Sequence, residues 1–279
     1  MGLTIICVAV LAMFSGADLV TAAQNPDVSA ASMVSIANGQ LPIILSAPHG
    51  GQEAIPGISQ RRGTGVERFN VGRDTRTDEL AELVALELEK RLNAKPFGVI
   101  ARFERKYLDV NRPRDAAFES GESTKHYETY HGALREFTQR VKSQWGGGLL
   151  LDIHGEGADA AAIYRGTLNG RTVKSLLQRF GAPAVSGKQS VLGQMASKGY
   201  KVLPSNGDKD KETRYLGGYI VQNYGSHQAL GIDAMQLEFG SSLRSRANLE
   251  RTARDLAQSI EAFAREYLPS LKPEPRTTP

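Results

Sequence analysis

Leu149-Leu150-Leu151-Asp152-Ile153-His154-Gly155 is an apolar run that ends in an aspartate, a histidine and a glycine. It reads as a short strand with a polar, Gly-flanked tip at its carboxyl end. Two more runs end the same way, in Ser46-Ala47-Pro48-His49-Gly50-Gly51 and in Gln236-Leu237-Glu238-Phe239-Gly240. Around them, short apolar segments at Leu41–Ala47, Phe97–Arg102, Gly148–Ile153, Tyr200–Leu203 and Ile232–Leu237 read as strands. Longer amphipathic segments at Thr77–Leu92, Tyr130–Val141, Thr172–Phe180 and Leu249–Tyr267 read as helices between them. Strands alternating with helices predict an α/β fold around a central sheet. In Thr77–Leu92 the side chains of Leu80, Leu83, Val84, Leu86 and Leu88 fall on or near one face, with Thr77 as N-cap and Asp78 and Glu79 in the first turn.

The ends of the chain read differently from its body. Leu3–Phe14 is a twelve-residue apolar run followed by small residues up to Ala23, the pattern of a secretory signal peptide over residues 1–23. A spanning helix needs about 20 apolar residues. Residues 24–268 read as one domain and Pro269–Pro279 as a disordered, Pro-rich tail. The single cysteine, Cys7, lies in the leader, so a disulfide scaffold is excluded and the exported chain is cysteine-free. The expected location is secreted or periplasmic, with no membrane attachment once the leader is removed. With 34 Lys+Arg against 30 Asp+Glu the net charge is only +4 and the basic residues are scattered, which argues against nucleic acid as a partner.

In open α/β sheets ligands bind outside the carboxyl ends of the strands, so the three polar tips can converge. Convergence would bring His49 and His154 together, and two imidazoles with one carboxylate are a common ligand set for a catalytic zinc with its fourth position open. The carboxylate is Asp74, on the loop before the first helix, or its rivals Glu53 and Asp78. Asp152, two residues before His154 and on the same side of the strand, can orient that imidazole. Glu238 ends an apolar strand, where burial raises a carboxyl pKa towards the range of a general base and acid. Arg105, Asn111 and Arg112 flank a short extended stretch, and guanidinium forks suit carboxylates and carbonyl oxygens. No Gly-x-Ser-x-Gly elbow of a serine hydrolase is present. A non-catalytic exported protein that binds carboxylates is the alternative to an enzyme.

The segments SAPHGG, the Asp74 loop, RKYLDVNR (Arg105–Arg112), Tyr130-His131-Gly132-Ala133-Leu134-Arg135, LLLDIHG, Leu216-Gly217-Gly218-Tyr219-Ile220 and MQLEFG follow one another in an order that resembles the N-formylglutamate amidohydrolases. The resemblance covers Leu41 to Arg246. It implies a single-domain, zinc-carboxypeptidase-like fold with a mixed sheet flanked by helices. It also implies one Zn2+ or other divalent ion per chain, activating water to hydrolyse an amide in a small, acidic N-acyl amino acid or peptide. Position by position it implies a metal on His49, Asp74 and His154, catalysis by Glu238 and Arg105, and substrate binding by Asn111, Arg112, Gly217 and Gly218. His131 matches as a packing or capping residue, whereas His126 and His227 read as surface positions. Zinc carboxypeptidases carry a ligand Glu three residues after the first histidine; Gln52 stands there, so the third ligand comes from elsewhere. Export would favour an extracellular N-acyl amino acid, a γ-glutamyl peptide or a cell-wall fragment as substrate.

Overall fold

The structure, a computed structural model, describes residues 33–205 and 211–268; the apolar leader and the Pro-rich tail lie outside the described residues. Seven strands form one sheet: β1 (Val34–Ala37), β2 (Ile43–Ala47), β3 (Phe97–Ala101), β4 (Leu149–Glu156), β5 (Ala162–Gly166), β6 (Lys201–Leu203) and β7 (Asp233–Gly240), in the order β1-β3-β2-β4-β7-β5-β6. β3, β2, β4 and β7 are parallel neighbours. β1 runs antiparallel to β3, and β5 antiparallel to β7, so the sheet is mixed. The helices are α1 (Thr77–Leu92), α2 (Arg114–Ala117), α3 (Thr124–Trp145), α4 (Lys174–Phe180), α5 (Pro183–Ser186), α6 (Val191–Ser197), α7 (Tyr219–Tyr224) and α8 (Leu249–Tyr267). None of the described helices is long and apolar enough to cross a membrane.

Period-two alternation explains how the sheet is both core and site. On one face Ile43 and Leu45 of β2, Leu149, Leu151 and Ile153 of β4, and Met235, Leu237 and Phe239 of β7 are all buried. α1 covers them with Leu80, Val84 and Leu88, and α8 with Leu256, Ile260 and Phe263. Each such side chain contributes about 1.5–3 kcal/mol on leaving water. The opposite face starts as apolar, with Ile44, Leu150 and Ala234 in register under Leu134, Phe137 and Val141 of α3. One step further along, the same face turns polar: Ser46, Asp152 and Gln236 form a row, and His154 and Glu238 the next. A pleated strand cannot choose its faces residue by residue, so this polar layer is built at the carboxyl end of a strand set whose other face stays apolar.

Several expectations need correction. Thr77 is not the N-cap of α1; Arg76 occupies that position at φ 63, and Thr77 begins the helix with its hydroxyl donating to the Asp74 carbonyl at 2.9 Å. Leu86 faces outward at 51% exposure, off the apolar stripe. Thr172–Phe180 divides into a 3₁₀ turn at Arg171–Val173 followed by α4. His126 is buried beside Phe103, with ring centroids 6.4 Å apart, and His227 is half-buried.

Candidate active site

His49 follows β2, and the chain then travels outward before returning through Asp74 to α1. The backbone closes this excursion: the Asp74 N–H donates to the His49 carbonyl at 3.0 Å, and the Thr77 N–H to the Asp74 carbonyl at 3.1 Å. The left-handed conformation of Arg76, uncommon for a residue with a side chain, reverses the chain directly before the helix. Asp74 thereby faces the sheet. Its Oδ2 lies 3.4 Å from His49 Nδ1 and 3.1 Å from His154 Nδ1, and the two Nδ1 atoms are 3.2 Å apart. Asp74 is thus the carboxylate that meets the imidazoles. Glu53 is exposed and pairs its backbone with Phe103, and Asp78 sits at the start of α1 against Gly50.

Three ligand atoms forming a near-equilateral triangle with edges of 3.1–3.4 Å suit a divalent ion, and His49, Asp74 and His154 are the described residues so grouped. Tetrahedral zinc with bonds near 2.0–2.1 Å separates its ligands by about 3.3 Å. The donors are also the chemistry that zinc favours. Burial opposes ionisation of Asp74, but in the metal-free chain the contacts with the His154 and His49 imidazoles outweigh it and hold the carboxyl well below the usual carboxylate range.

Both imidazoles turn Nδ1 inward because Nε2 is held from behind. His49 Nε2 donates to Asp109 Oδ1 at 2.7 Å, and His154 Nε2 donates to Asp152 Oδ2 at 2.9 Å. Buried carboxylates in this position fix the tautomer and ring orientation of a metal-ligating histidine. Asp109 is fully buried and serves as a hub: it accepts from Arg105 Nε at 2.8 Å and from the Asn111 N–H at 3.0 Å, with Arg112 Nε at 3.6 Å and Arg61 Nη2 at 3.8 Å. Burial works against its charge, yet His49 and Arg105 keep its pKa well below the ordinary range. Neither Asp109 nor Arg61 stood out in the sequence.

Glu238 is 6% exposed and is the Cα partner of His154 across the β4–β7 ladder. Burial pushes its carboxyl up to about 7, opposed by His154 and reinforced by the charge of Asp74. Gln236 Nε2 donates to Glu238 Oε1 at 2.7 Å while Gln236 Oε1 accepts the Gly218 N–H at 2.6 Å, so the carboxyl is oriented rather than loose. On the other side of β7, Tyr164 of β5 is the Cα partner of Glu238. Tyr164 and Tyr215 line a cavity of about 510 Å3 with Lys211 and Arg214, which lies one strand from the carboxyl.

The basic segment wraps the same centre. Arg105 uses Nε on Asp109, and among the described residues its two Nη groups make no hydrogen bond. Arg112 donates from Nη2 to the Arg68 carbonyl at 2.7 Å. Asn111 Oδ1 accepts the Ile220 N–H at 2.9 Å, and its Nδ2 lies 3.2 Å from His154 Nε2. The glycine pair lies against this residue: Gly217 has φ 108, and a side chain at Gly218 would stand 2.3 Å from Asn111 Nδ2. His131 is buried in α3, its Nε2 donating to the Val110 carbonyl at 2.9 Å, and burial pushes its pKa down to about 4.

A mixed α/β sheet carrying a buried His-Asp-His triangle and a high-pKa carboxyl at the carboxyl ends of its strands has the fold class and the residue types of a hydrolytic site. Comparisons with known proteins agree. The sequence is 27% identical over 271 residues to an N-formylglutamate deformylase of Pseudomonas putida, covering 86% of this chain and 95% of that one. The fold is similar to the crystal structure of an N-formylglutamate amidohydrolase from Ralstonia eutropha JMP134, with a TM-score of 0.58 at 19% identity over 84% of this chain and 98% of that one. It is also similar to a protein of Agrobacterium tumefaciens, with a TM-score of 0.57 at 13% identity over 84% of this chain and 96% of that one. No family model matches. The resemblance seen in the ordered motifs is thus supported over 86% of the chain, which is similar in sequence and in fold to the N-formylglutamate amidohydrolases.

Proposed function

We propose that the chain is a zinc amidohydrolase that removes the acyl group from a carboxylate-bearing N-acyl amino acid such as N-formylglutamate, or cleaves a related acidic peptide. The observation that carries this reading is the pairing of His154, in the Nδ1 triangle, with Glu238, whose pKa is about 7. His49, Asp74 and His154 would hold the ion. Bound there, a divalent ion lowers the pKa of water to about 7 and polarises a carbonyl. Glu238 in its ionised form takes the proton from the attacking water, and in its protonated form gives it to the departing nitrogen. The free Nη groups of Arg105 donate to the acyl oxygen as negative charge develops there. Arg112 and the Asn111 Nδ2 receive the substrate carboxylate, with the Gly217-Gly218 turn keeping that wall free of side chains. The products are the carboxylic acid, formate for a formyl group, and the free amino acid. The leader-like run at Leu3–Phe14 extends the proposal to export, with substrates outside the cytosol; N-terminal sequencing of the mature chain checks it.

The test is a hydrolysis screen of N-formyl, N-acetyl, γ-glutamyl and peptidyl substrates. Amine release from N-formylglutamate that is lost on chelation and restored by Zn2+ is expected. Hydrolysis that survives complete metal removal would overturn the metal assignment, and turnover confined to the peptides would move the substrate.

A further inference from the structure

The segment Tyr130-His131-Gly132-Ala133-Leu134-Arg135 lies in α3 and touches none of the three ligand atoms, yet its first residue ends a buried line of hydrogen bonds that reaches one of them. Tyr130 Oη is 2.8 Å from Ser46 Oγ, Ser46 Oγ donates to Asp152 Oδ1 at 2.7 Å, and Asp152 Oδ2 accepts from His154 Nε2 at 2.9 Å. Tyr130, Ser46 and Asp152 are each 0% exposed. The proton count fixes the direction. A serine hydroxyl has one hydrogen, which goes to Asp152, so Tyr130 must be the donor to Ser46. Both oxygens of Asp152 then accept, and with an ion in the triangle the carboxylate would hold His154 as the Nε2–H tautomer, its Nδ1 turned towards Asp74 and His49.

We propose that Tyr130 and Ser46 are positioning residues for the metal centre, setting the affinity of His154 for a divalent ion through Asp152. This rests on the reading of His49, Asp74 and His154 as metal ligands. The whole line is buried, so when the Ser46 hydroxyl is removed Asp152 Oδ1 loses the one neutral donor it has among the described residues, away from bulk solvent. Tyr130 acts at one remove: its hydrogen bond polarises the Ser46 hydroxyl towards Asp152 and holds its rotamer. The same helix grips the other imidazole's support, because His131, the next residue, holds the Val110 carbonyl beside Asp109. One helix that bears no ligand thus fixes the backing of both.

The experiment uses the full chain, stripped of metal, with Zn2+ affinity read by competition with a chromophoric chelator and apo stability read by urea unfolding. S46A is expected to weaken Zn2+ binding by about 10–100-fold, the usual cost of losing support behind a ligand, and Y130F by a smaller factor of about threefold or more. S46T, which keeps the hydroxyl, should bind close to wild type. Y130F added to S46A should weaken binding no further, since its only route passes through Ser46. Affinities within twofold of wild type in both S46A and Y130F, whatever happens to apo stability, overturn the proposal; so does a Y130F loss that persists undiminished in the S46A background. If S46A does not fold, Y130F and S46T decide. A wild-type chain that binds no divalent ion overturns the metal reading itself, and this inference with it.

Discussion

Glu238 and His154 are Cα partners on adjacent parallel strands, so their side chains leave the same face of the sheet about 4.8 Å apart at the backbone. This places a carboxyl with a pKa of about 7 beside an imidazole whose Nδ1 belongs to the candidate metal-binding triangle. Replacing Glu238 with Gln keeps the shape, and Gln236 Nε2 can still donate to the retained side-chain oxygen. The proton acceptor is lost. Turnover of N-formylglutamate in E238Q should fall by about 10²–10⁴-fold, with Zn2+ content unchanged because Glu238 is not one of the three ligands. An active E238Q, or one that had lost its metal, would remove Glu238 from the proposed role.

The same carboxyl makes a stability prediction of opposite sign. Its folded pKa is raised from 4.5 to about 7, so the native chain holds a proton that the unfolded chain releases between those values. Stability from this group is present in full below pH 4.5 and is lost as the pH rises through 7, by up to about 3 kcal/mol. Measured on apo protein in chelator, E238Q should match wild type near pH 4.5 and exceed it above pH 7. Urea midpoints that ran parallel across this range would show that the carboxyl is not protonated in the native state.

How much of this was legible in the sequence depends on whether the signal is local. Strands β2, β3, β4 and β7 show as apolar runs because both their faces are buried for most of their length. β5 hides because Arg165 interrupts it, and the charge is tolerated only through a buried pair with Glu212 at 2.9 Å, 47 residues away. β1 hides because it is a four-residue edge strand with Ser35 and an exposed Ile36. The imidazoles and Glu238 could be read as strand tips, and Asp152 as the partner of His154 because two residues along a strand share a face. Asp109 and Tyr130 could not, because their roles come from contacts with His49 and Ser46, respectively 60 and 84 residues away.

Asp109 offers a direct test of that non-local role. Its Oδ1 anchors His49 Nε2, and its Oδ2 takes Arg105 Nε while Arg61 and Arg112 stand within 4 Å. In D109N one oxygen survives but the charge does not, leaving the guanidinium groups without a counterion. Zn2+ affinity should fall by about 10–100-fold, and apo stability by on the order of 3 kcal/mol, the cost of stranding a buried charge. Chelator competition and urea unfolding measure the two separately. Zinc binding equal to wild type would mean that His49 is oriented by its packing and not by Asp109.

His131 predicts an acid limit to stability that is independent of the metal ligands. Burial lowers its pKa from 6.5 to about 4, its Nε2–H is committed to Val110, and the Tyr224 hydroxyl lies 3.0 Å from Nδ1. The native chain therefore refuses a proton that the unfolded chain accepts. As the pH falls from 6.5 to 4 the native state loses up to about 3 kcal/mol from this group, and below that the loss levels off. Glutamine at this position can still donate to the Val110 carbonyl but does not titrate. H131Q should be less stable than wild type at pH 7.5, by about 1–2 kcal/mol for the altered packing and hydrogen bonding. Its unfolding free energy should nevertheless fall less steeply between pH 6.5 and 4, so that the two curves converge towards acid. Carboxylates common to both proteins cancel in that difference. Parallel curves would mean that His131 takes up its proton in the folded chain over the same pH range as in the unfolded one.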